Sequence, residues 1–155
     1  MTQPLVGIVY GSPSDKDKMG HAAAIVEKFD VPFEMEAMSA HRSPERVRQY
    51  AASAEDRGLR VLIAGAGRAA HLAGVVAAHT ALPVIGVPLS GGVMDGIDAL
   101  LSTVQMPSGV PVATVGVDAA ANAGLLAVQI LSTGDDELRK RLAEFKDQLA
   151  QGLRL

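Results

Sequence analysis

Three short segments hold most of the side chains in this chain that could bind an anion or carry a proton: GSPSD (11–15), SAHR (39–42) and GAGRAAH (65–71). The first combines Gly11, which permits close backbone approach, with the hydroxyls of Ser12 and Ser14 and with amides at a helix start. Hydroxyls, unpaired N–H groups and the positive end of a helix dipole suit a phosphate. Asp15 repels a phosphate and fits the hydroxyls of a ribose better. The alternative is an ordinary capped turn, because serine and aspartate are common helix caps. In the second segment Arg42 is a clamp for an anion, and His41 supplies an imidazole, the side chain that exchanges a proton near neutral pH. A neutral imidazole there can take a proton and later return it. The third segment sets Gly65 and Gly67 beside Arg68 and His71. It is not a clear dinucleotide fingerprint, since alanine stands at position 70 and no acidic residue ends the next strand. Glycine-rich amides closing over a small polar ligand fit better.

The remaining candidates carry less chemistry. His21 and His79 fall in helical stretches and read as surface or interface residues. The four histidines show no metal-ligand spacing, so no metal is expected. Cysteine is absent, which excludes disulfides and thiolate chemistry. Asp95 and Asp98 could form a carboxylate pair, but capping explains them more simply. GSPSD lacks the glycine pattern of a nucleophile elbow, so serine hydrolysis is not favoured.

Each of the three segments follows a short apolar run. LVGIVY (5–10), PFEMEAM (32–38), RVLIAG (60–65), PVIGVPL (83–89) and PVATVGV (111–117) alternate with helix-length stretches. That rhythm predicts parallel strands joined by crossover helices, in one doubly wound α/β domain of three layers covering residues 1–155. Ligands of such sheets bind beyond the carboxyl ends of the strands, so the three segments should converge on one edge. Ser14 or Asp15 is expected to cap a first helix reaching about Phe29, and Ser43 with Pro44 a second that stops by Gly58. Leu138, Leu142, Phe145 and Leu149 share one face of an amphipathic C-terminal helix. The chain of 155 residues is 48% hydrophobic but 3% aromatic, with 16 glycines, so aliphatic residues must build its core. A net charge of −3 leaves no basic footprint for nucleic acid. No apolar run reaches the roughly 18 residues of a membrane span, and the N-terminus lacks a secretory pattern. A cytoplasmic protein is the expectation.

Taken together, GSPSD (11–15), SAHRSP (39–44), AGAGRAAHLAG (64–74), LPVIGVP (82–88), VQMPSGVPVATV (104–115) and AANAGLLAVQIL (120–131) resemble the PurE family of purine biosynthesis, on its mutase branch. The likeness runs through nearly the whole chain in order. It implies a flavodoxin-like fold and a homo-octamer with active sites at subunit contacts. It also implies a reaction on an aminoimidazole ribonucleotide carrying a carbamate, whose carboxylate moves to ring carbon C4 through CO2 without ATP, metal or organic cofactor. By resemblance His41 is the catalytic proton shuttle, Ser12 and Arg42 lie near the phosphate and Asp15 near the ribose, with Ser14 joining them as the second hydroxyl of its turn. Ser39 and Ala40 complete the His41 turn, and Gly67, Ala70, His71 and Leu72 belong to the loop over the base and carboxylate. Two positions depart from the mutase pattern: Arg68 replaces a glycine and Lys16 a tryptophan. Arg68 is expected to pair with a carboxylate of its own chain. The family's direct carboxylases, which carry an arginine there, are the alternative enzyme. A non-catalytic nucleotide-binding module, which would have no need of His41, is the alternative outside catalysis.

Overall fold

A computed structural model describes residues 3–155. Five parallel strands form one sheet in the order β2-β1-β3-β4-β5: β1 Val6–Tyr10, β2 Phe33–Ala37, β3 Val61–Gly67, β4 Val84–Leu89 and β5 Ala113–Thr114. Register aligns the strand ends: Tyr10 lies opposite Ala37 and Gly65, and Gly67 opposite Leu89. The chain reverses direction of winding at β1, so β1 and β3 flank the topological switch point where such sheets bind ligands.

Six helices cover the sheet: α1 Lys16–Lys28, α2 Pro44–Ala52, α3 Leu72–Ala78, α4 Ile97–Val104, α5 Ala120–Ser132 and α6 Asp136–Ala150. β1, β3 and β4 are apolar on both faces because both faces are covered, whereas the edge strand β2 alternates, with Glu34 and Glu36 paired to Arg57 and Arg46. Val6, Ile8, Ile63, Ile85 and Val87 pack with α1, α5 and α6, while Val9, Leu62, Ala64 and Val84 pack with α2 and α3. Thr103 of α4 also lies over Gly86 of β4, on the side where Ala73 of α3 sits. With so few aromatics, close approach replaces bulk. A Cβ on Gly65 would lie 2.2 Å from Met19 Sδ, and one on Gly124 would lie 2.6 Å from the Ala22 carbonyl oxygen. Glycine at these two positions lets α1 press against the sheet and α5 against α1.

Local signals explain most helix ends. The first differs from expectation: Ser12, not Ser14 or Asp15, supplies the capping side chain, accepting from the Ser14 amide at 3.4 Å ahead of a 3₁₀ turn at Pro13–Asp15. Pro44 opens α2 as expected, but the Ser43 hydroxyl donates to the Ser39 carbonyl at 3.0 Å rather than capping. α2 ends at Ala52, and the turns after it close at Gly58 with φ 94°. Asp135 caps α6 by accepting from the Leu138 amide at 2.9 Å. Leu138, Leu142 and Phe145 are buried and Leu149 is half-buried, as the period predicts, with Phe145 meeting Phe29 edge-on at 5.5 Å.

The fifth strand is shorter than the apolar run 111–117. Pro111 has no N–H to donate, and the chain leaves regular geometry before Asp118, whose φ is 57°. The amides of Val115 and Asp118 still reach the carbonyls of Gly86 (3.1 Å) and Pro88 (2.9 Å). The segment therefore tracks β4 without continuing the ladder.

Candidate active site

At the carboxyl edge of the sheet a cleft of about 670 Å³ opens over the switch point. Four of its walls are the turns after β1, β2, β3 and β4. The β1 turn contributes Gly11, Ser12, Ser14 and Asp15, and Lys18 follows from α1. The β2 turn contributes Ser39, His41 and Arg42, the β3 turn Gly67, Arg68 and Ala69, and the β4 turn Ser90 and Gly91.

The β2 turn is built to aim its two long side chains. The Arg42 amide donates to Ser39 Oγ at 3.2 Å, and the Ser43 amide to the Ser39 carbonyl at 2.9 Å. These bonds curl SAHR into a tight turn in front of α2. The Arg42 guanidinium then crosses to donate to the Gly11 carbonyl at 3.1 Å, tying the β2 and β1 turns together. Four other donors of the fork remain for an anion.

His41 and His71, 30 residues apart in the chain, meet in space: His41 Nε2 lies 2.7 Å from His71 Nδ1, with the rings nearly perpendicular at 83°. One nitrogen must donate and the other accept. The shared proton can sit on either ring, so His41 Nδ1 is free to act as a bare base in one tautomer and as an N–H acid in the other. That property suits a group that takes a proton and gives it back.

Asp15 is half-buried beside Lys18 and Arg42. Burial raises its carboxyl above the ordinary value, and the Ser12 backbone and the two cations offset only part of this. The sign of the stability effect follows. A carboxyl whose folded pKa exceeds its unfolded one destabilises the fold once pH rises through that folded value, and costs nothing below the unfolded one. Asp15→Asn should therefore raise the melting temperature at pH 7, and the gain should vanish below the ordinary value of 3.8. Thermal unfolding at the two pH values checks this.

At the β4 end, Lys18 Nζ lies 3.1 Å from both carboxylate oxygens of Asp118 and within hydrogen-bond reach of the Ser90 hydroxyl and carbonyl. The Ser90 amide donates to Asp118 Oδ1 at 2.9 Å, and its hydroxyl donates to Oδ2. Burial pushes the Asp118 carboxyl up, but the Ser90 and Lys18 donors outweigh it and hold the group below its ordinary value.

Of the residues singled out from sequence, Ser12, Ser14, Asp15, Ser39, His41, Arg42 and Gly67 line the cleft. His71 reaches it through His41. Ala40 is half-buried in the turn, and Ala70 and Leu72 are buried beneath the wall at 2% exposure. Arg68 differs from expectation: among the described residues no carboxylate pairs with it, and it lines the cleft instead. Its φ of 56° is the left-handed region, where a glycine would be unstrained. Sequence reasoning missed Lys18, Ser90, Gly91 and Asp118. The rule that ligands sit at strand ends pointed equally to SGG (90–92) after the fourth run, and Lys18 is one turn beyond Asp15. His21 and His79 are exposed. Asp98, inside the first turn of α4 rather than at its N-cap, accepts from the amides of Val93 (2.9 Å) and Ala99 (2.8 Å).

A doubly wound sheet of order 2-1-3-4-5, with a histidine pair and an arginine over its switch point, defines a flavodoxin-like protein whose cleft is equipped for an anionic ligand and proton transfer. The AIR carboxylase family matches residues 5–152, and the chain belongs to that family. It is 56% identical over 148 residues to the N5-carboxyaminoimidazole ribonucleotide mutase of Mycobacterium tuberculosis, covering 96% of this chain and 85% of that one. The mutase of Bacillus subtilis is 53% identical over 151 residues, covering 96% and 93%. Among solved structures, Treponema denticola PurE superposes with a TM-score of 0.86 at 31% identity, covering 96% of this chain and 92% of that one.

Proposed function

We propose that the protein is an N5-carboxyaminoimidazole ribonucleotide mutase, an isomerase of purine biosynthesis that moves a carboxylate from the exocyclic nitrogen of its substrate to ring carbon C4. The contact that carries this reading is the His41–His71 hydrogen bond at the mouth of a cleft furnished with hydroxyls and cations. In the first half-reaction the carbamate N–C bond breaks, CO2 departs and the nitrogen takes a proton from His41. In the second, C4 attacks the retained CO2 to form the C–C bond, and His41 takes back the proton that leaves C4. Atoms and charge balance without a cofactor, provided CO2 cannot escape. Arg42, Ser12 and Ser14 bind the phosphate and Asp15 the ribose diol. Ser39, Ala40, Gly67, Ala70, His71 and Leu72 shape the wall around base and carboxylate.

The same reading makes the protein a cytoplasmic homo-octamer. Support for association comes from Val93, Met94, Ile97, Leu101 and Val104, an exposed apolar row on α4 and the turn before it, next to the cleft wall at Ser90–Gly91.

Arg68 favours a second reading. The residue lines the cleft without a carboxylate partner among the described residues, which suits direct carboxylation of aminoimidazole ribonucleotide by CO2. A paired assay without ATP separates the two. One arm supplies the N-carboxylated ribonucleotide; the other supplies the uncarboxylated one with bicarbonate and CO2. Fast product in the first arm alone is expected. Turnover in the second arm alone would establish the carboxylase, and silence in both would leave a binding module.

A further inference from the structure

We propose that Asp118 is a positioning residue for the ribonucleotide: with Ser90 it holds the Lys18 ammonium across the β4 end of the cleft and so keeps it off Asp15. This rests on the function proposed above, which gives Asp15 a ligand to bind.

Lys18 follows Asp15 by three residues at the start of α1, a spacing at which opposite charges on a helix meet. Left to itself that pair would close and occupy the carboxylate. The structure shows another arrangement. Both oxygens of Asp118 stand 3.1 Å from the ammonium, and Ser90 adds its hydroxyl and its carbonyl. Among the described residues Lys18 has no ion pair with Asp15, and no side chain hydrogen-bonds the Asp15 carboxylate. Asp118 is itself fixed, since its amide donates to the Pro88 carbonyl at 2.9 Å and its oxygens accept from the Ser90 amide and hydroxyl.

The three partners come from α1, the turn after β4 and the turn before α5. The side chains of Lys18 and Asp118 are 41% and 38% exposed, so the pair itself adds little to stability. Its larger consequence is local. Asp15 keeps a carboxylate that the Ser12 backbone touches but no side chain occupies, lining the cleft and able to accept from ligand hydroxyls, while a cation stands near enough to favour its ionised form.

Asp118→Asn tests the assignment. Asparagine accepts a positive φ as readily as aspartate and keeps the shape, so the backbone is undisturbed. The freed ammonium should then close on Asp15. The KM for N5-carboxyaminoimidazole ribonucleotide is expected to rise about tenfold, ~1.4 kcal/mol, while kcat changes by less than about twofold. Adding Lys18→Met to Asp118→Asn removes the competitor and should recover most of the lost affinity. A purely structural tether predicts the opposite, a double variant at least as weak as the single one. An unchanged KM in Asp118→Asn, or no recovery in the double variant, overturns the role of Asp118 alone. A wild-type protein that fails to convert the substrate overturns the mutase reading and this role with it. Should Asp118→Asn not fold, Ser90→Ala, which frees one anchor of Lys18, takes its place with the same expected direction.

Discussion

Replacing His41 by asparagine should lower kcat by about 10³-fold and leave ribonucleotide binding within about twofold. Asparagine keeps a polar group of similar reach but has no nitrogen that both takes and gives a proton under these conditions. The binding groups stand on other residues: Arg42 is held by Gly11 and Ser39, and Ser12 and Asp15 belong to a separate turn. The histidine is therefore asked for the proton steps and little else. Calorimetric titration with aminoimidazole ribonucleotide measures the binding, and a single-turnover assay with the N-carboxylated substrate measures the chemistry. Unchanged turnover would sink the proton-shuttle role. Loss of binding together with turnover would mean that the turn SAHR had lost its shape.

Gly124→Ala should lower the melting temperature by about 5–10 °C, the effect of ~2–3 kcal/mol of overpacking in a domain of this size. The added methyl would sit 2.6 Å from the Ala22 carbonyl and 3.0 Å from Ile25 Cβ. The first obstacle is backbone, which no rotamer change can move. α1 and α5 must separate, and the buried Ala22, Ile25, Val26, Ala123 and Ala127 would lose contacts along the seam. Differential scanning calorimetry gives the number. A melting temperature within a degree of wild type would show that the two helices can part without loss.

The architecture was legible because hydrophobic pattern and turn chemistry agreed through the first four strands. The fifth strand is where the run predicts it but shorter, because an apolar run announces burial, whereas a ladder also needs donors, and Pro111 withholds one. The site was legible by residue type at the turns after β1, β2 and β3. Its contacts were not: His41 and His71 stand out separately, and no spacing rule says that their rings meet. Lys18 and Asp118 lie 100 residues apart and each reads locally as a solvated charge. Arg68 was visible as a departure, yet its expected partner does not exist among the described residues, because the left-handed turn presents it to the cleft.

The pairing of α1 with α5 also sets a schedule for synthesis. Residue 28 ends the first helix and residue 120 begins its cover, so about 90 residues must be translated between them. At ~5–20 residues per second that is roughly 5–20 s. Throughout that time Met19, Ala22, Ile25 and Val26 on the emerging chain have no α5 to lie against. A ribosome-bound chain halted before α5 is complete at residue 132 is accordingly the species that a holdase chaperone would recognise, and one released with the whole helix is not.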